Sequence, residues 1–485
     1  MVRLSSAPPD PIPAPKRIYR GGGRLDSLPS VTHVPDGSMP DDGSYRLEIR
    51  QSGVKIVSGG AEGGRWGAVT LAQYSFMGCG FPVGIIEDAP TYPYRGLLFD
   101  CSRTFFETDE LKTLIDCMSM FKLNRFHWHL TDDQGWRLES EVLPRLTEIG
   151  SVRSGSDFGR HHSRISSGGF YTREQVRELI AFARARGVQI VPELDFPGHC
   201  SAFLAAYPEF SCSGEPSEVR TAPGIYENVL CPGKDAAIEA VFSLIDETAK
   251  LFDGEYLHIG GDEAPDAHWK TCPDCKKRME SLGFTTTGQL RSWFTDLLAE
   301  RVRKNGKKPI CWNDAEPVAK DTAMQYWFGD KDAVRQFAEN GGRVILSELP
   351  YCYTDYSYAQ TPLKKCFSYR PEDFIPRERL LGIEAALWSS YAHDMRRVGF
   401  MMYPRAAAIA DIAWNGGRVS RETSYAAFRT AFEALTPMFG SIGIVPAKLN
   451  RTDPKGPVRV MDFTRFWAEN LTPSALASEI KNFRR

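Results

Sequence analysis

The sequence lacks the features that mark membrane-spanning and nucleic-acid-binding proteins. Its 485 residues contain no apolar run near the ~18 residues of a membrane span. The formal net charge is −2 and no basic run stands out, so the charge balance favours neither a nucleic acid nor an anionic membrane as partner. The segment from Met1 to Lys16 shows no apolar signal-peptide core, but a removed leader would leave the same picture. The compartment and the oligomeric state therefore stay open.

The cysteines offer no complete metal-binding motif. The chain has 11, an odd number, so at least one thiol is free or pairs between chains. Cys272-Pro-Asp-Cys275 is the only CxxC, and no second CxxC or Cys/His pair supplies the remaining ligands of a zinc site. We therefore expect a local disulfide or two packed thiols there, ahead of zinc. Cys212 and Cys231 flank a Gly/Pro/Ser-rich loop and could form a disulfide in an oxidising compartment. No metal site and no cofactor are predicted.

No GxGxxG follows any early strand candidate, which argues against a doubly wound dinucleotide-binding sheet. From Arg95 onward, short apolar runs alternate with amphipathic segments, the pattern of a (β/α)8 TIM barrel in the α/β class. The strand candidates are Gly96–Cys101, Arg125–Leu130, Gln189–Leu194, Tyr256–Gly260, Pro309–Asn313, Met324–Phe328, Arg343–Glu348 and Gly382–Trp388. The helix candidates are Thr108–Phe121, Thr172–Arg186, Ala236–Leu251, Thr287–Lys304 and Ala333–Asn340.

Two smaller regions flank the predicted barrel. Residues 1 to about 40 are expected to form an irregular lead-in, followed by a hairpin around the turn at Ser52-Gly53 and a helical segment from Trp66 to Met77. Pro90 and Pro93 mark a linker. After Trp414, helical stretches are expected to pack on the barrel. The predicted division is a small N-terminal α+β domain with its lead-in over 1–90, the barrel over 91–415 and a short C-terminal helical extension over 416–485.

The segment Tyr256-Leu-His-Ile-Gly-Gly-Asp-Glu263 carries an apolar strand directly into two glycines and two adjacent carboxylates. Two acids buried side by side are costly unless their charges are paired, shared or used. A solvated acidic turn is the ordinary alternative. In a barrel, however, the active site lies where the strands end, and the other strands also end in polar or aromatic residues. These are Asp100, Arg103, His127, His129, Asp132, Asp133, Glu193, Asp195, His199, His258, Trp312, Asn313, Asp314, Tyr326, Trp327, Tyr353, Asp355 and Trp388.

Acids beside several tryptophans and a tyrosine indicate a sugar site. Pyranose C–H faces stack on aromatic rings, and sugar hydroxyls need bidentate acceptors. A phosphate site would instead need Arg or Lys with a Gly-rich nest. Most glycosidases draw two carboxylates at least ~5 Å apart from different strands. Adjacent Asp262 and Glu263 fit that scheme poorly, because neighbouring side chains on a strand diverge. A third partner is needed.

Four motifs together identify a family. They are Arg95-Gly-Leu-Leu-Phe-Asp100 followed by Ser102-Arg103, His127-Trp-His-Leu-Thr-Asp-Asp-Gln-Gly-Trp136, Pro192-Glu-Leu-Asp-Phe-Pro-Gly-His199 and His258-Ile-Gly-Gly-Asp-Glu263. The chain closely resembles glycoside hydrolase family 20, the β-N-acetylhexosaminidases, colinearly from about residue 45 to 415. The N-terminal hairpin region also resembles the small accessory domain of that family.

The resemblance implies exo-acting, retaining and substrate-assisted removal of terminal β-linked GlcNAc or GalNAc from glycans, an exception to the two-carboxylate scheme. The 2-acetamido oxygen of the substrate would attack the anomeric carbon and give an oxazolinium intermediate. Glu263 would act as general acid and then as base, with a pKa raised by burial or by an anion such as Asp262. Asp262 would bind the acetamide N–H and stabilise the developing positive charge.

The resemblance also implies roles for residues around this pair. Arg95 would bind the C3 and C4 hydroxyls, while Asp132 and His199 would belong to the polar shell around the acid. Three tryptophans would wall the acetamide pocket and the sugar face, a tyrosine would hydrogen-bond the acetamide oxygen, and an aspartate would support the pocket. Barrel packing is the ordinary alternative for the tryptophans. These pocket residues are Trp312, Trp327, Trp388, Tyr353 and Asp355.

One position departs from the family pattern. The family usually has Trp-x-Glu after the last strand, and the glutamate binds the C4 and C6 hydroxyls. Here Ser390 stands two residues after Trp388. A serine cannot accept two hydroxyls bidentately, so we expect altered tolerance at C4 or C6 of the sugar.

Two other hypotheses remain at this point. The pair His127-x-His129 with His199 and an aspartate could ligate a metal, because HxH on a strand places both imidazoles on one face. Alternatively, Ser390 could mark a non-catalytic or narrow-specificity glycan-binding barrel, or one that releases a disaccharide in the manner of a lacto-N-biosidase. The natural glycan and its linkage cannot be read from the sequence.

Overall fold

The computed structural model describes residues 9–159, 161–417 and 421–470, and a closed parallel barrel of eight strands forms its centre. Each strand begins or ends within a few residues of its predicted position, so the (β/α)8 prediction is confirmed. The barrel strands, numbered first to eighth along the chain, are Tyr94–Asp100, Arg125–His129, Gln189–Glu193, Tyr256–His258, Lys308–Trp312, Ala323–Tyr326, Val344–Leu346 and Leu380–Leu387.

Helices surround this barrel. The five helix candidates are all present, and the fifth and sixth strands are joined by the 3-10 turn Asn313–Ala315 without an α-helix. The helices between the first and eighth strands are Thr108–Met120, Arg145–Glu148, Arg173–Ala185, Ser201–Ala206, Asp235–Leu251, Ala267–Thr271, Pro273–Leu282, Thr287–Lys304, Lys331–Glu339, Leu349–Cys352 and Leu363–Phe367. The loop after the second strand contains short antiparallel strand pairs. They are Thr131–Asp132 with Gly135–Trp136, Val152–Arg153 with Ser167–Gly168, and Ser156–Phe158 with His161–Ser163.

The N-terminal region is a five-stranded sheet covered by one helix, Ala61–Met77. Trp66 and Tyr74 of this helix are fully buried against the sheet. In spatial order the strands are Arg17–Leu25, Phe81–Asp88, Tyr45–Arg50, Gly53–Ser58 and Val31–Pro35.

The predicted irregular lead-in was wrong for residues 17–35, which supply both edge strands of this sheet. Both strands are largely exposed, and Arg17–Leu25 contains three consecutive glycines. An exposed edge strand needs no alternating apolar pattern, so the periodicity that indicates a strand is missing there. Residues 1–8 of the predicted lead-in lie outside the described residues.

Arg95 lies at the opposite end of the first barrel strand from the predicted site. Its guanidinium lies between the rings of Trp66 and Trp414, 5.6 and 5.0 Å from their centroids. Its Nε donates to Lys122 O at 2.8 Å and its Nη1 to Tyr92 O at 2.9 Å. The predicted role of Arg95 in sugar binding was therefore wrong. As the second residue of the strand it joins the barrel to the N-terminal domain.

Helices follow the eighth strand, in agreement with the predicted C-terminal helical extension. Phe439 from one of them packs on Phe121 and Tyr403, 5.9 and 5.3 Å between ring centroids. Residues 418–420 and 471–485 of the extension lie outside the described residues. No helix in the described part of the chain is long and apolar enough to cross a membrane. The helices that follow the eighth strand are Met395–Met402, Arg405–Asn415, Arg421–Ala434, Thr436–Ile442 and Gly456–Asn470.

Candidate active site

A sharp turn at the end of the fourth barrel strand places Asp262 and Glu263 at the rim. The strand ends at His258, and Gly260 and Gly261 adopt φ values of +65° and +103°. A Cβ on Gly260 would lie 1.8 Å from Asp195 Oδ1, so only glycine fits. The Gly261 N–H donates to that same Asp195 oxygen at 2.9 Å. The two glycines thus bring the backbone against the third-strand loop and turn the following acids into the barrel mouth.

The two adjacent carboxylates face one imidazole. His199 Nε2 lies 3.7 Å from Asp262 Oδ2 and 3.4 Å from Glu263 Oε2. We expected neighbouring side chains to diverge as on a strand, and this was wrong because the backbone has already left the strand. Glu263 itself has a φ of +43°, a strained conformation for a residue with a side chain. Strain of this kind is typical of functional sites.

One oxygen of each acid is buried without a hydrogen-bond donor from the described residues. These atoms are Asp262 Oδ1 and Glu263 Oε1. Buried carboxylate oxygens without a donor are costly, so a site that leaves two of them open is built to receive polar groups. Burial, followed by the charge of Asp195, raises the pKa of Asp262 well above its usual range, although His199 opposes this rise.

His199 is held by a second pair of acids on its other nitrogen. Nδ1 lies 3.2 Å from Asp133 Oδ2 and 3.5 Å from Asp132 Oδ1. Burial by itself would lower the pKa of His199, but Asp132 and Asp262 outweigh it and raise the pKa well above its usual range. The imidazolium form is therefore favoured, and His199 presents a positive charge to the acid pair.

Arg103 is the arginine that reaches the pocket from the first barrel strand. Its Nη2 forms a short ion pair with Asp132, and its Nη1 lies 3.5 Å from Asp100 Oδ2. The guanidinium also lies 4.9 Å from the ring centroid of Trp388. Burial would raise the pKa of Asp132, but Arg103 and His199 lower it below its usual range. Asp132 is thus an anion that positions two cations at the pocket.

Aromatic rings wall the pocket opposite the acids. Trp327 and Tyr353 stack at 6.3 Å between centroids, and Tyr353 lies 6.2 Å from Trp388. Trp327 Nε1 donates to Asp314 Oδ1 at 2.9 Å, which fixes the indole. Trp312 is deeper: it is 1% exposed, packs 6.0 Å from Trp388 and donates to Glu193 Oε1 at 2.7 Å.

The pocket encloses about 260 Å³, slightly below the ~300 Å³ at which small-molecule sites usually begin. Its lining includes the predicted residues His199, Asp262, Glu263, Trp327, Tyr353, Asp355 and Trp388, together with Arg103 and Ser390. Asp132 and Trp312 lie directly behind it. Further lining residues that were not predicted lie on the loop after the seventh strand and beyond the eighth. The Tyr-rich segment 351–358 was the signal in the sequence that could have indicated this loop. These further lining residues are Leu349, Pro350, Tyr356, Gln360, Thr361, Lys365 and Tyr391.

Beneath the pocket, Glu193 contacts the histidines of the second and fourth strands. It forms a short hydrogen bond with His129 Nδ1, and its oxygens lie 3.1 Å from His127 Nε2 and from His258 Nδ1. Burial would raise the pKa of Glu193, but His129, His258 and His127 together lower it well below its usual range. The two histidines of the HxH pair are therefore engaged with carboxylates below the pocket. We assign them a supporting role.

The pocket combines an acid pair, a charged imidazole and an aromatic wall at the C-terminal face of a parallel barrel. The family model for the catalytic domain of glycosyl hydrolase family 20 matches residues 92–417. The chain belongs to glycosyl hydrolase family 20.

Relatives named β-hexosaminidase occur in several bacteria. Those of Porphyromonas gingivalis, Vibrio furnissii and Akkermansia muciniphila are 34%, 33% and 32% identical over 78%, 76% and 83% of this chain. The chain covers 52%, 65% and 85% of these proteins, so it spans about half to two thirds of the first two.

Solved family 20 structures match over nearly the whole fold. A β-N-acetylhexosaminidase structure superposes with a TM-score of 0.83 at 30% identity, covering 92% of this chain and 97% of the other. An exo β-N-acetylglucosaminidase from Vibrio harveyi, in complex with N-acetylglucosamine, gives a TM-score of 0.80 at 27% identity over 92% and 80% of the two chains.

Proposed function

We propose that the protein is an exo-acting, retaining β-N-acetylhexosaminidase that releases terminal β-linked GlcNAc or GalNAc through substrate-assisted catalysis. The arrangement of Asp262 and Glu263 carries this proposal: both acids line one pocket and face the same charged imidazole. Family membership and the names of the relatives favour this hypothesis over a metal-dependent hydrolase or a binding protein.

In the first step the acetamido oxygen of the bound sugar attacks the anomeric carbon as the glycosidic C–O bond breaks. Glu263 gives its proton to the leaving oxygen. Asp262 accepts a hydrogen bond from the acetamide N–H, whose positive charge grows as the oxazolinium ring closes. Because burial and the charge of Asp195 disfavour the ionisation of Asp262, this growing positive charge stabilises its anion.

In the second step a water molecule attacks the anomeric carbon from the face that the leaving group has vacated. Glu263, now a carboxylate, takes a proton from this water, and the bond between the anomeric carbon and the acetyl oxygen breaks. The acetamide is restored and the anomeric configuration is retained. His199 lies within 3.7 Å of an oxygen of each acid, so its positive charge supports whichever carboxylate is ionised at each stage.

The remaining lining residues bind the sugar. We propose that Trp327, Tyr353 and Trp388 hold the acetamide group and stack on the sugar face, with Trp312 closing the base of the pocket and Asp355 supporting Tyr353. We assign to Arg103, in place of Arg95, the hydrogen bonds to the C3 and C4 hydroxyls, because its guanidinium is held over Trp388 in the pocket. The small cavity favours release of single sugars over disaccharides.

Release of p-nitrophenol from the β-GlcNAc and β-GalNAc glycosides tests the assignment of the acid pair. Glu263→Gln is expected to lose ~10²–10⁴-fold in kcat, the usual contribution of a general acid–base group. Asp262→Asn, which removes the charge that stabilises the acetamide N–H, is expected to lose ~10²–10³-fold. The exposed Glu316 supplies a matched control, Glu316→Gln, which is expected to retain activity. Wild-type activity in the Glu263→Gln variant would overturn the assignment.

Fluorination of the N-acetyl group of the substrate tests the substrate-assisted mechanism separately. Each fluorine makes the acetamido oxygen less nucleophilic, so kcat/KM is expected to fall progressively across the mono-, di- and trifluoroacetyl glycosides. A rate that does not respond to fluorination would mean that the acetamido group is not the nucleophile. It would leave the assignment of Glu263 as the acid intact.

Ser390 lines the pocket at the position where the family usually has a glutamate, and we propose that it broadens tolerance at C4 or C6. Without a second acceptor, an axial and an equatorial C4 hydroxyl lose the same contact, so galacto- and gluco-configured substrates become more alike. Equal discrimination by this protein and by a relative with the glutamate would contradict this proposal.

A further inference from the structure

Four cysteines from separate segments meet beside the catalytic loops. Cys212 and Cys231 come from the loop after the third barrel strand, while Cys272 and Cys275 lie at the start of the helix Pro273–Leu282. Their Sγ atoms all lie within 4.8 Å of one another. The disulfide considered as an alternative for Cys212 and Cys231 is not formed, and each of the four is a free cysteine in the structure.

The spacing of these sulfurs matches one tetrahedral ion. Four thiolates at ~2.3 Å from a zinc ion have sulfurs ~3.8 Å apart. The Sγ atom of Cys231 lies 3.8 Å from that of Cys272 and 3.5 Å from that of Cys275, and the Sγ atoms of Cys212 and Cys275 are 3.9 Å apart. These separations are far longer than a disulfide bond of ~2.05 Å. We propose that Cys212, Cys231, Cys272 and Cys275 bind a structural zinc ion.

The local fold presents the four ligands from rigid backbone. Ser211 and Leu230 form an isolated antiparallel bridge, and the Cys231 N–H donates to Phe210 O at 2.9 Å, so Cys212 and Cys231 are held side by side. Gly233 lies against the helix start: a Cβ there would be 2.3 Å from Cys275 N. A bulkier residue would push the two cysteine pairs apart.

The surroundings suit a closed site. Cys231, Cys272 and Cys275 are buried, and Trp269 and Leu290 pack in the same cluster. Zinc bound by four thiolates carries a net charge of about −2. The start of a helix favours negative charge, and Cys272 and Cys275 lie at the start of the helix Pro273–Leu282. Four protein ligands leave no open position, which is the arrangement of a structural site.

The site would tie together the loops that carry the candidate catalytic residues. The Leu230 N–H donates to Pro197 O at 3.1 Å, two residues before His199. Trp269, which lies in the segment that follows Glu263, donates from Nε1 to Leu230 O at 3.0 Å. A zinc ion would therefore link the third-strand loop to the fourth-strand loop and limit their relative movement. Sequence spacing alone could not show this, because only one of the two cysteine pairs forms a CxxC.

Metal analysis of the full chain tests the proposal. The protein is purified under reducing conditions without chelator, and we expect about one zinc per chain. Replacement by cobalt is expected to give the intense charge-transfer absorption of a tetrahedral tetrathiolate. Zinc content is equally measurable on the Glu263→Gln variant, so failure of the proposed activity would not affect this result.

Variants locate the metal. Cys212→Ser and Cys275→Ser are expected to lose bound zinc and to unfold at lower temperature, since the binding free energy of a structural metal stabilises the fold. Cys366→Ser, a buried cysteine outside the cluster, is the matched control and is expected to keep the zinc. The proposal would be overturned if the wild-type protein bound no zinc or bound iron instead. Absence of the cobalt absorption, or disulfides among these cysteines, would also overturn it. Equal zinc loss in Cys366→Ser would do so as well.

Discussion

Replacing Arg103 and Arg95 in turn separates sugar binding from domain joining, because the two arginines belong to one barrel strand and the loop that follows it. Arg103 lies in the pocket between Asp132 and Trp388. Arg95 is only 1% exposed and contacts the N-terminal domain through Trp66. We expect Arg103→Ala to damage activity and Arg95→Ala to damage stability.

The expected loss of activity follows from hydrogen bonding. Each charge-assisted hydrogen bond is worth about 1.5–3 kcal/mol, and 1.4 kcal/mol corresponds to a factor of ten. Loss of even one such bond to a sugar hydroxyl should lower kcat/KM by about 10–100-fold, and loss of two by more. Arg103→Lys keeps the positive charge beside Asp132 without the planar fork of donors. It should therefore recover part of any lost stability and little of the lost activity.

The expected loss of stability at Arg95 follows from its burial. Arg95→Ala removes the donors to Lys122 O and Tyr92 O and leaves a cavity between Trp66 and Trp414. We expect the free energy of unfolding to fall by about 3 kcal/mol or more. At temperatures well below unfolding, kcat/KM should stay close to the wild-type value.

The assay is initial-rate kinetics on the p-nitrophenyl β-GlcNAc glycoside, combined with thermal unfolding followed by tryptophan fluorescence. Loss of kcat/KM in folded Arg95→Ala, with wild-type kcat/KM in Arg103→Ala, would contradict both assignments. In that case the sugar would not be bound at the C-terminal face beside Trp388.

Three further predictions concern buried charges and specificity. Burial would lower the pKa of His129, but Glu193 raises it to about 9. The stabilisation of the fold by protonated His129 is therefore complete below the unfolded pKa of histidine, about 6.5, and is lost as the pH rises through 9. Melting temperature between pH 6 and 10 should fall at the alkaline end, and Glu193→Gln should flatten this slope. Ser390→Glu should raise kcat/KM for the β-GlcNAc glycoside more than for the β-GalNAc glycoside, whereas Ser390→Gln, which lacks the charge, should not. Lys122→Met removes an ammonium that lies 2.9 Å from Asp88 Oδ2 and leaves the negative charge of this buried carboxylate without its cation. Thermal unfolding should show a loss of about 3–5 kcal/mol in the free energy of unfolding, and adding Asp88→Asn should restore part of it.

Most of the architecture could be predicted because it depends on short-range patterns. The apolar runs that became the eight barrel strands are recognisable within a few residues, and the helices between them have amphipathic spacing. The edge strand Arg17–Leu25 was missed because an exposed strand next to solvent carries no such pattern. The short fourth strand ended earlier than predicted, because Gly260 and Gly261 leave the sheet to approach Asp195.

The functional pocket was predicted in part. Residues that directly follow strands, such as Asp262, Trp327 and Trp388, could be placed at the rim once the barrel was assumed. The position after the first strand already placed Arg103 at the rim, but the family resemblance was taken to give the sugar-binding role to Arg95. Arg95 lies at the other end of that strand, so it does not reach the pocket.

The barrel, its family and the acid pair Asp262-Glu263 could be predicted from the sequence alone, because these depend on residues close together in the chain. Which groups meet at the mouth of the barrel could be seen only in the folded molecule. His199 meets the acid pair from the loop of another strand, and Cys212 meets Cys275 across 63 residues. Such contacts depend on how loops pack at the barrel rim, and no local pattern of side chains records that packing.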